Sequence, residues 1–223
     1  MSTTAQRLAQ VQSSIADACE TSGRDLKQIT TIVVTKFHPI STIRELHDLG
    51  ITNFGENRDQ EASLKAEELN KLALQWHFIG QLQSNKAKNV VTYATAIHSL
   101  DRLSLVDALA KTAHPVDAFI ELNLTDDPGR GGVQPAELER FAQATLAAET
   151  IRILGVMAVA PLGADPRATF ARVRNASDKL RRVSPESTAL SMGMSGDYVE
   201  AILEGATHLR IGTAITGNRP APG

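Results

Sequence analysis

Lys36 stands where a lysine is unusual, at the end of the apolar run 29–35 with the sequence ITTIVVT. A run this rich in β-branched residues is typical of a parallel strand that is covered on both faces. Removal from water disfavours an ammonium, so burial there would leave part of Lys36 as the free amine near neutral pH. A free amine attacks carbonyl carbons to form a Schiff base. The alternative is a strand-end lysine whose stem lies along apolar surface while its charge stays in water.

Two further segments predict a site for an anion. Ser195-Gly196-Asp197 opens a helical pattern after a strand-like run, and Gly212-Thr213 belongs to the last apolar run of the chain. Amides at a helix N-terminus bind phosphate, and Gly212 has no side chain to block a ligand. Ser195 could equally be a simple helix cap, and Asp197 is interpreted as an acidic residue of the first turn rather than a ligand.

Other polar residues form no known catalytic or metal-binding pattern. The six histidines lack metal-ligand spacing, and we expect His77 and His98 to pack inside strands. The chain has no nucleophile elbow, Walker loop or GxGxxG fingerprint. The glycine-rich segment 129–132 is interpreted as a solvated turn. The sequence therefore predicts no metal site.

These residues are embedded in a regular alternation of strand and helix patterns. A helical pattern over 5–22, ended by Gly23, precedes eight strand-like runs that alternate with helical patterns. The strand-like runs are 29–36, 52–55, 75–80, 96–100, 117–124, 151–159, 187–193 and 208–215. The helical patterns between them are 41–50, 58–73, 85–92, 102–113, 134–149, 165–183 and 196–205. Eight such units predict an α/β fold, a single (β/α)8 TIM barrel over 1–223 with an extra N-terminal helix. An open, doubly wound sheet is the competing architecture.

The barrel prediction brings the candidate residues together. Active sites of such barrels lie at the carboxyl ends of the strands, and phosphate sites follow strands 7 and 8. Lys36 ends the first strand-like run. Ser195 follows the seventh run, and Gly212 lies in the eighth. We therefore expect the amine and the anion site to share one end of the barrel.

Bulk composition narrows the class of protein. The chain has 223 residues, 22% charged, with a formal net charge of −2, so no basic surface predicts nucleic-acid binding. One cysteine, Cys19, cannot form an internal disulfide, and its helical pattern predicts a buried thiol. No apolar run is as long as a membrane span, and the polar N-terminus is unlike a signal peptide. A cytoplasmic protein is the expectation.

Several long segments, in order, resemble the YggS/PROSC family of pyridoxal phosphate homeostasis proteins, which are similar to the barrel domain of alanine racemase. The resemblance spans nearly the whole chain. It is carried by VVTKFHP at 33–39, NFGENRDQE at 53–61, WHFIGQLQSNKAK at 76–88, IHSLDR at 97–102, GVMAVAP at 155–161, LSMGMSGDYVEAI at 190–202 and LRIGTAITG at 209–217. His38 departs from the pattern, because many relatives carry lysine there.

The resemblance implies a cofactor and its ligands. Pyridoxal 5′-phosphate would be held as a Schiff base on Lys36, with Asn57 near the ring and Arg210 facing the pyridine nitrogen. The phosphate would be held by three residues, with Ser191 as a neighbour: Ser195, Gly212 and Thr213. The resemblance implies a role in vitamin B6 and amino-acid homeostasis. Our hypothesis is a single-domain protein that holds the cofactor and delivers it to other proteins, such as apo enzymes that need it.

Residue chemistry favours a carrier over an enzyme. Arginine stays protonated, so Arg210 would keep the ring nitrogen deprotonated and weaken carbanion stabilisation. Alanine racemase also has an arginine there but takes a tyrosine base from a second domain, which we do not expect after Gly223. The alternatives are a weakly active amino-acid racemase or decarboxylase, and a cofactor-free class I-type aldolase that uses Lys36. Without the domain that joins racemase subunits, a monomer is expected.

Overall fold

Eight parallel strands close into a barrel in the computed structural model, which describes residues 2–125, 127 and 129–218. The strands are β1 (Thr30–Val34), β2 (Asn53–Glu56), β3 (Gln75–Phe78), β4 (Ala94–Leu100), β5 (Val116–Glu121), β6 (Ile151–Met157), β7 (Ala189–Ser191) and β8 (His208–Ile211). Each strand pairs with the next, and β8 pairs with β1. The predicted barrel is therefore confirmed.

Helices surround the barrel in the part of the chain that the structure describes. They are α1 (Thr4–Thr21), α2 (Ile40–Asp48), α3 (Asp59–Glu68), α4 (Ala87–Val90), α5 (Leu103–Ala110), α6 (Leu138–Leu146), α7 (Pro166–Val183), α8 (Tyr198–Leu203) and α9 (Thr213–Thr216), with short 3₁₀ turns at Leu26–Gln28 and Ser84–Lys86. None of these is long and apolar enough to cross a membrane.

The extra N-terminal helix is confirmed, and it packs against the last two helices of the barrel. Thr3 caps α1 through a capping box, and Gly23 follows it at φ 65°, a conformation that glycine adopts without strain. Helix α1 packs on α8 and α9, and Arg7 Nε donates to the carbonyl oxygen of Ile215 at 2.8 Å. Cys19 is a buried thiol, as predicted.

Several predicted boundaries are wrong at the carboxyl ends of the strands. Strand β1 ends at Val34 rather than at residue 36, and β8 ends at Ile211 rather than at 215. Residues 213–216 instead form the short helix α9. Apolar composition predicted continued strand in both places, but the chain turns where the neighbouring strands no longer pair with it.

The barrel interior is unusually polar. The main apolar core lies between the sheet and the helices, whereas a small separate cluster, Ala96, Phe119 and Met157, lies within the barrel. Side chains alternate between the two faces of a strand, so the polar residues His77, His98 and Arg210 occupy the inner face. This polar interior connects directly to the mouth at the carboxyl ends of the strands.

Candidate functional site at the barrel mouth

Lys36 lies at the mouth, two residues beyond the end of β1. The preceding side chain, Thr35, points outward and donates to Glu56 Oε1 at 2.7 Å, so Lys36 falls on the side of the barrel axis. The prediction of a buried lysine is met in part, because its side chain is half-buried. The turn over residues 35–38 takes Lys36 out of the strand at the carboxyl end of the barrel.

Arg210 lies inside the barrel on β8, opposite Ile32 of β1. It is 4% exposed, and its Nη1 and Nη2 donate to Ser191 Oγ at 2.6 Å and to the carbonyl oxygen of Ala158 at 2.9 Å. Burial lowers the pKa of Arg210 to about 10, and the nearby Glu121 carboxyl opposes this shift. Arg210 is therefore still a cation at neutral pH.

A chain of hydrogen bonds continues from Arg210 across the barrel. Ser191, which is fully buried, places its Oγ 2.8 Å from His98 Nδ1. His98 Nε2 lies 2.9 Å from His77 Nδ1, and His77 Nε2 lies 3.0 Å from Asn53 Oδ1. His98 also stacks on Phe119, with ring centroids 4.4 Å apart. The predicted packing role of His77 and His98 is confirmed. The Ser191 hydroxyl contacts His98 and Arg210, and its place near the phosphate stays a prediction.

The imidazoles of this hydrogen-bond series are neutral. Burial lowers the pKa of His77 to about 3 and that of the neighbouring His208 to about 4, and it lowers the pKa of His98 well below its ordinary value. Repulsion from the other imidazoles and from Arg210 adds to the effect of burial at His98. Each neutral ring has one N–H donor and one acceptor nitrogen.

Because the rings are neutral, the donor and the acceptor of each hydrogen bond in the series can be assigned. With Asn53 Oδ1 as acceptor, the proton of His77 is on Nε2, and His77 Nδ1 accepts from His98 Nε2. His98 Nδ1 then accepts from the Ser191 hydroxyl, whose oxygen accepts from Arg210. Every donor in the series has one acceptor, so the chain holds the Arg210 side chain in one orientation.

The buried imidazoles predict a stability that falls in acid. Their pKa is lower in the folded than in the unfolded chain, so the unfolded chain binds more protons and stability is lost as pH falls below about 6.5. His98→Gln removes one such group. Relative to that variant, the wild type should lose about 1.4 kcal/mol per pH unit below that point. Urea unfolding at about pH 7.5 and about pH 5 measures the difference.

The surface residue His114 supplies the control for that experiment, because His114→Gln also removes one imidazole but from an exposed position. Comparing variants also cancels the contribution of other buried acids. An equal change of stability with pH in the wild type and in His98→Gln would contradict a neutral, buried His98.

Glu121 is a mouth residue that sequence reasoning missed. It ends β5 on the inner face, and its Oε2 is buried with no hydrogen-bond partner among the described residues. Burial and the neighbouring Asp101 raise the pKa of Glu121 to about 7, while Arg210 and Arg130 oppose the shift. The sequence did carry a signal for Glu121, because a carboxyl at the end of an apolar strand is as unusual as a lysine there, which is the signal that identified Lys36.

The predicted phosphate residues lie beside each other on the loops after β7 and β8. Ser195 Oγ accepts from the backbone N–H of Ala214, at 3.2 Å, in the first turn of α9. Ser195 does not open a helix as predicted, because the turn before α8 is closed by Asp197, which caps that helix and accepts from Met194 N at 2.6 Å. Thr213 is the first residue of α9, and its side chain is exposed at the mouth.

Open space and unused polar groups at the mouth fit a flat ring with an anionic tail. A Cβ added at Gly212 would meet its nearest atom, Val34 Cβ, at 3.6 Å, and one at Gly196 would meet nothing within 4 Å. Asn57 follows β2, and its Oδ1 is buried without a hydrogen-bond partner in the described part of the chain. These groups, with the amine of Lys36, fit pyridoxal phosphate.

The loop 129–132 also belongs to the mouth, contrary to the prediction of a solvated turn. Asn123 Nδ2 donates to the carbonyl oxygen of Arg130 at 2.9 Å. A Cβ at Gly131 would lie 1.9 Å from Gln81 Nε2 and 3.2 Å from Asp101 Oδ2. A side chain at this position would displace the Gln81 side chain, so the loop packs against the residues that follow β3 and β4.

Comparison with known proteins agrees with this geometry. Residues 14–220 match the family model described as alanine racemase, N-terminal domain. The pyridoxal phosphate homeostasis protein of Aquifex aeolicus is 39% identical over 222 residues, which cover 96% of this chain and 97% of the relative. The Escherichia coli K12 protein of the same name is 37% identical, with 98% of each chain covered.

This chain belongs to the pyridoxal phosphate homeostasis protein family. The resemblance seen in the sequence is thus confirmed. A solved member, PipY of Synechococcus elongatus with pyridoxal phosphate bound, superposes with a TM-score of 0.85 at 35% identity, covering 96% of this chain and all of PipY. Alanine racemase of Corynebacterium glutamicum superposes with a TM-score of 0.71 at 15% identity, covering 94% of this chain and 61% of the racemase, which shows a shared fold alone.

Proposed function

We propose that this protein binds pyridoxal 5′-phosphate on Lys36 and takes part in vitamin B6 homeostasis. The observation that carries the proposal is that Lys36, just beyond β1, and Arg210, inside the barrel on β8, belong to the two strands that close the barrel, with Ser195 and Thr213 on the loops after β7 and β8. The family relationship supports it, since PipY was solved with this cofactor. When bound, the cofactor supplies an electrophilic aldehyde carbon and an aromatic ring that can accept electron density.

Each site residue has a chemical role in this proposal. Lys36 supplies the amine that links to the aldehyde, and Ser195, Gly212 and Thr213 hold the phosphate through hydroxyls and helix-terminal amides. Asn57, whose buried Oδ1 has no hydrogen-bond partner among the described residues, would offer a polar group to the ring. Arg210 remains a cation, held by Ser191, and therefore keeps a proton off the ring nitrogen.

The same residues favour a carrier over an enzyme. An unprotonated ring nitrogen is a weak electron sink, so carbanions on a bound amino acid gain little stability. A tyrosine base is also hard to assign. Tyr93 donates to Asp59 Oδ1 at 3.1 Å, and burial raises the pKa of Tyr93 well above its usual value. We therefore propose that the protein holds the cofactor without catalysis and passes it to apo enzymes.

A transfer assay tests this proposal. Loaded protein, freed of unbound cofactor by gel filtration, is mixed with an apo enzyme that depends on pyridoxal phosphate, and recovery of that enzyme's activity is followed. Recovery faster than spontaneous release into buffer is the expected result. Recovery at the rate of spontaneous release would contradict delivery.

Exchange of amino-acid protons tests the alternative of a weak racemase or decarboxylase. Loaded protein is incubated at length with single amino acids in D₂O, and NMR follows deuterium at Cα and loss of carboxylate. We expect no exchange above the rate given by free cofactor. Turnover that Lys36→Ala abolishes would overturn the carrier proposal.

We further propose that residues 1–223 act as one domain, as a monomer in the cytoplasm. The closure of all eight strands into one barrel supports the single domain. Light scattering of the loaded protein tests the monomer, and a mass of two chains would contradict it.

A further inference from the structure

The turn that carries Lys36 has an unfavourable backbone conformation. His38 N donates to the carbonyl oxygen of Thr35 at 3.0 Å, so residues 35–38 form a β-turn with Lys36 and Phe37 at its centre. Phe37 has φ 66°, and it is the one residue other than glycine with positive φ in the described part of the chain. A bulky side chain disfavours this region, which glycine adopts freely. Such strain persists where surrounding groups enforce it, and it is common at functional sites.

The enforcing groups lie behind the turn, on β2 and α3. Glu61 Oε1 accepts from the backbone N–H of Phe37 at 2.7 Å. Lys65 Nζ donates to the carbonyl oxygen of Thr35 at 2.9 Å. The two residues on either side of Lys36 are therefore both held through their main chain by charged side chains of α3.

Lys65 and two carboxylates make this cluster rigid. Lys65 is 5% exposed and donates to Glu61 Oε1 at 2.6 Å and to Glu56 Oε1 at 2.7 Å, which uses all three of its N–H groups. Glu56 is 1% exposed and also accepts from the Thr35 hydroxyl at 2.7 Å. Burying an ion costs desolvation free energy, and the ion pairs and hydrogen bonds of this cluster offset that cost.

The exposed side of the turn is held as well. The Arg58 guanidinium lies over the Phe37 ring, 5.0 Å from its centroid, in a cation–π arrangement.

Burial raises the pKa of Glu56, and the Lys65 ammonium and its hydrogen bonds oppose that shift. Buried ion pairs are often replaced by apolar residues of similar volume without loss of stability, so packing alone does not account for this cluster.

We propose that Glu61 and Lys65 are positioning residues that impose the strained turn and thereby aim the amine of Lys36 into the barrel mouth. The inference rests on the proposed function, because it assigns Lys36 as the attachment point. Without the Glu61 acceptor, Phe37 should relax to negative φ and redirect the neighbouring lysine. The main chain of the turn, rather than the fold as a whole, is what these residues hold.

Three Glu61 and Phe37 variants test the proposal. Glu61→Met removes the acceptor at similar size and should slow covalent attachment of pyridoxal phosphate at Lys36 by about tenfold or more. Glu61→Gln keeps an oxygen that accepts from Phe37 N and should remain within about threefold of wild type. The double variant Phe37→Gly with Glu61→Met should recover most of the rate, since glycine adopts positive φ without help.

The measurement is the rate of borohydride-trapped label at Lys36, read by peptide mass mapping, with far-UV circular dichroism and melting temperature as checks of folding. Glu67→Met, an exposed change on the same helix, is the matched control. If Glu61→Met does not fold, the double variant decides, because glycine removes the torsional demand. Folding with rapid labelling supports the proposal, and folding with labelling still slowed tenfold overturns it.

These results separate the inference from the function beneath it. A wild-type rate in folded Glu61→Met would overturn the positioning role and leave attachment at Lys36 intact. Label absent from Lys36 in the wild type would overturn the proposed function instead. A merely structural role would lower the melting temperature without the rescue by glycine.

Discussion

Lys36→Ala protein is expected to carry no covalently trapped pyridoxal phosphate after borohydride reduction, whereas the wild type should carry one label, at Lys36. The physical reason is geometric, because Lys36 follows β1, the strand that pairs with β8, and therefore lies on the same side of the mouth as the predicted phosphate loop after β8. The buried amine of Lys65 cannot substitute, since all three of its donors are used within the cluster behind the turn. Peptide mass mapping of the reduced proteins, with visible absorption before reduction, measures the result.

Lys86→Ala is the matched control for this experiment, because Lys86 is half-buried, follows β3 and contacts Asp59 in a long 3.9 Å ion pair. It should label like wild type. Label on another lysine, or a wild type that never labels, would contradict the assignment of the site. A wild type that binds a carbonyl substrate through Lys36 but not pyridoxal phosphate would favour the aldolase alternative.

The double variant Ser195→Ala with Thr213→Val is expected to lose affinity for pyridoxal phosphate by about 100-fold or more, because two hydrogen bonds to a charged group are lost and each is worth roughly 1.5–3 kcal/mol. Affinity for pyridoxal, which lacks the phosphate, should change little. Ser195 and Thr213 lie on adjoining loops, so the two changes act on one anion site. Titration by absorption with both aldehydes measures both affinities.

The exposed pair Ser13→Ala with Thr188→Val removes the same two hydroxyl types far from the mouth and controls for general destabilisation. Equal affinity of the wild type for the two aldehydes would refute the phosphate assignment. Equal loss of both aldehydes in the double variant would instead assign these residues to the shape of the mouth.

Most of the architecture could be predicted from hydrophobic pattern. The alternation of apolar runs and helical periods identified the barrel, and the rule that such barrels function at the carboxyl ends of strands grouped Lys36 with Ser195 and Gly212. Boundaries were less predictable. The strand-like run 208–215 ends as strand at Ile211, because continued pairing depends on the neighbouring strand.

The hydrogen-bond series inside the barrel could not be predicted from hydrophobic pattern. His77 and His98 could be placed on strands, but their hydrogen bonds to each other and to Ser191 depend on strand register. Glu61 and Lys65 showed only an ordinary helical i,i+4 spacing, which usually marks a solvated ion pair. Their contacts with the Lys36 turn follow from how α3 packs on β2.

Sequence alone determined which chemical groups this protein has and at which end of a barrel they collect, because strand alternation and family motifs are local properties of the chain. Tertiary structure alone decided how those groups are held: the neutral, directed imidazoles behind Arg210 and the strained turn at Phe37. Both depend on desolvation and on contacts between residues far apart in the chain, such as His98 with Ser191. Burial and register are set by the whole fold, so no local pattern carries them.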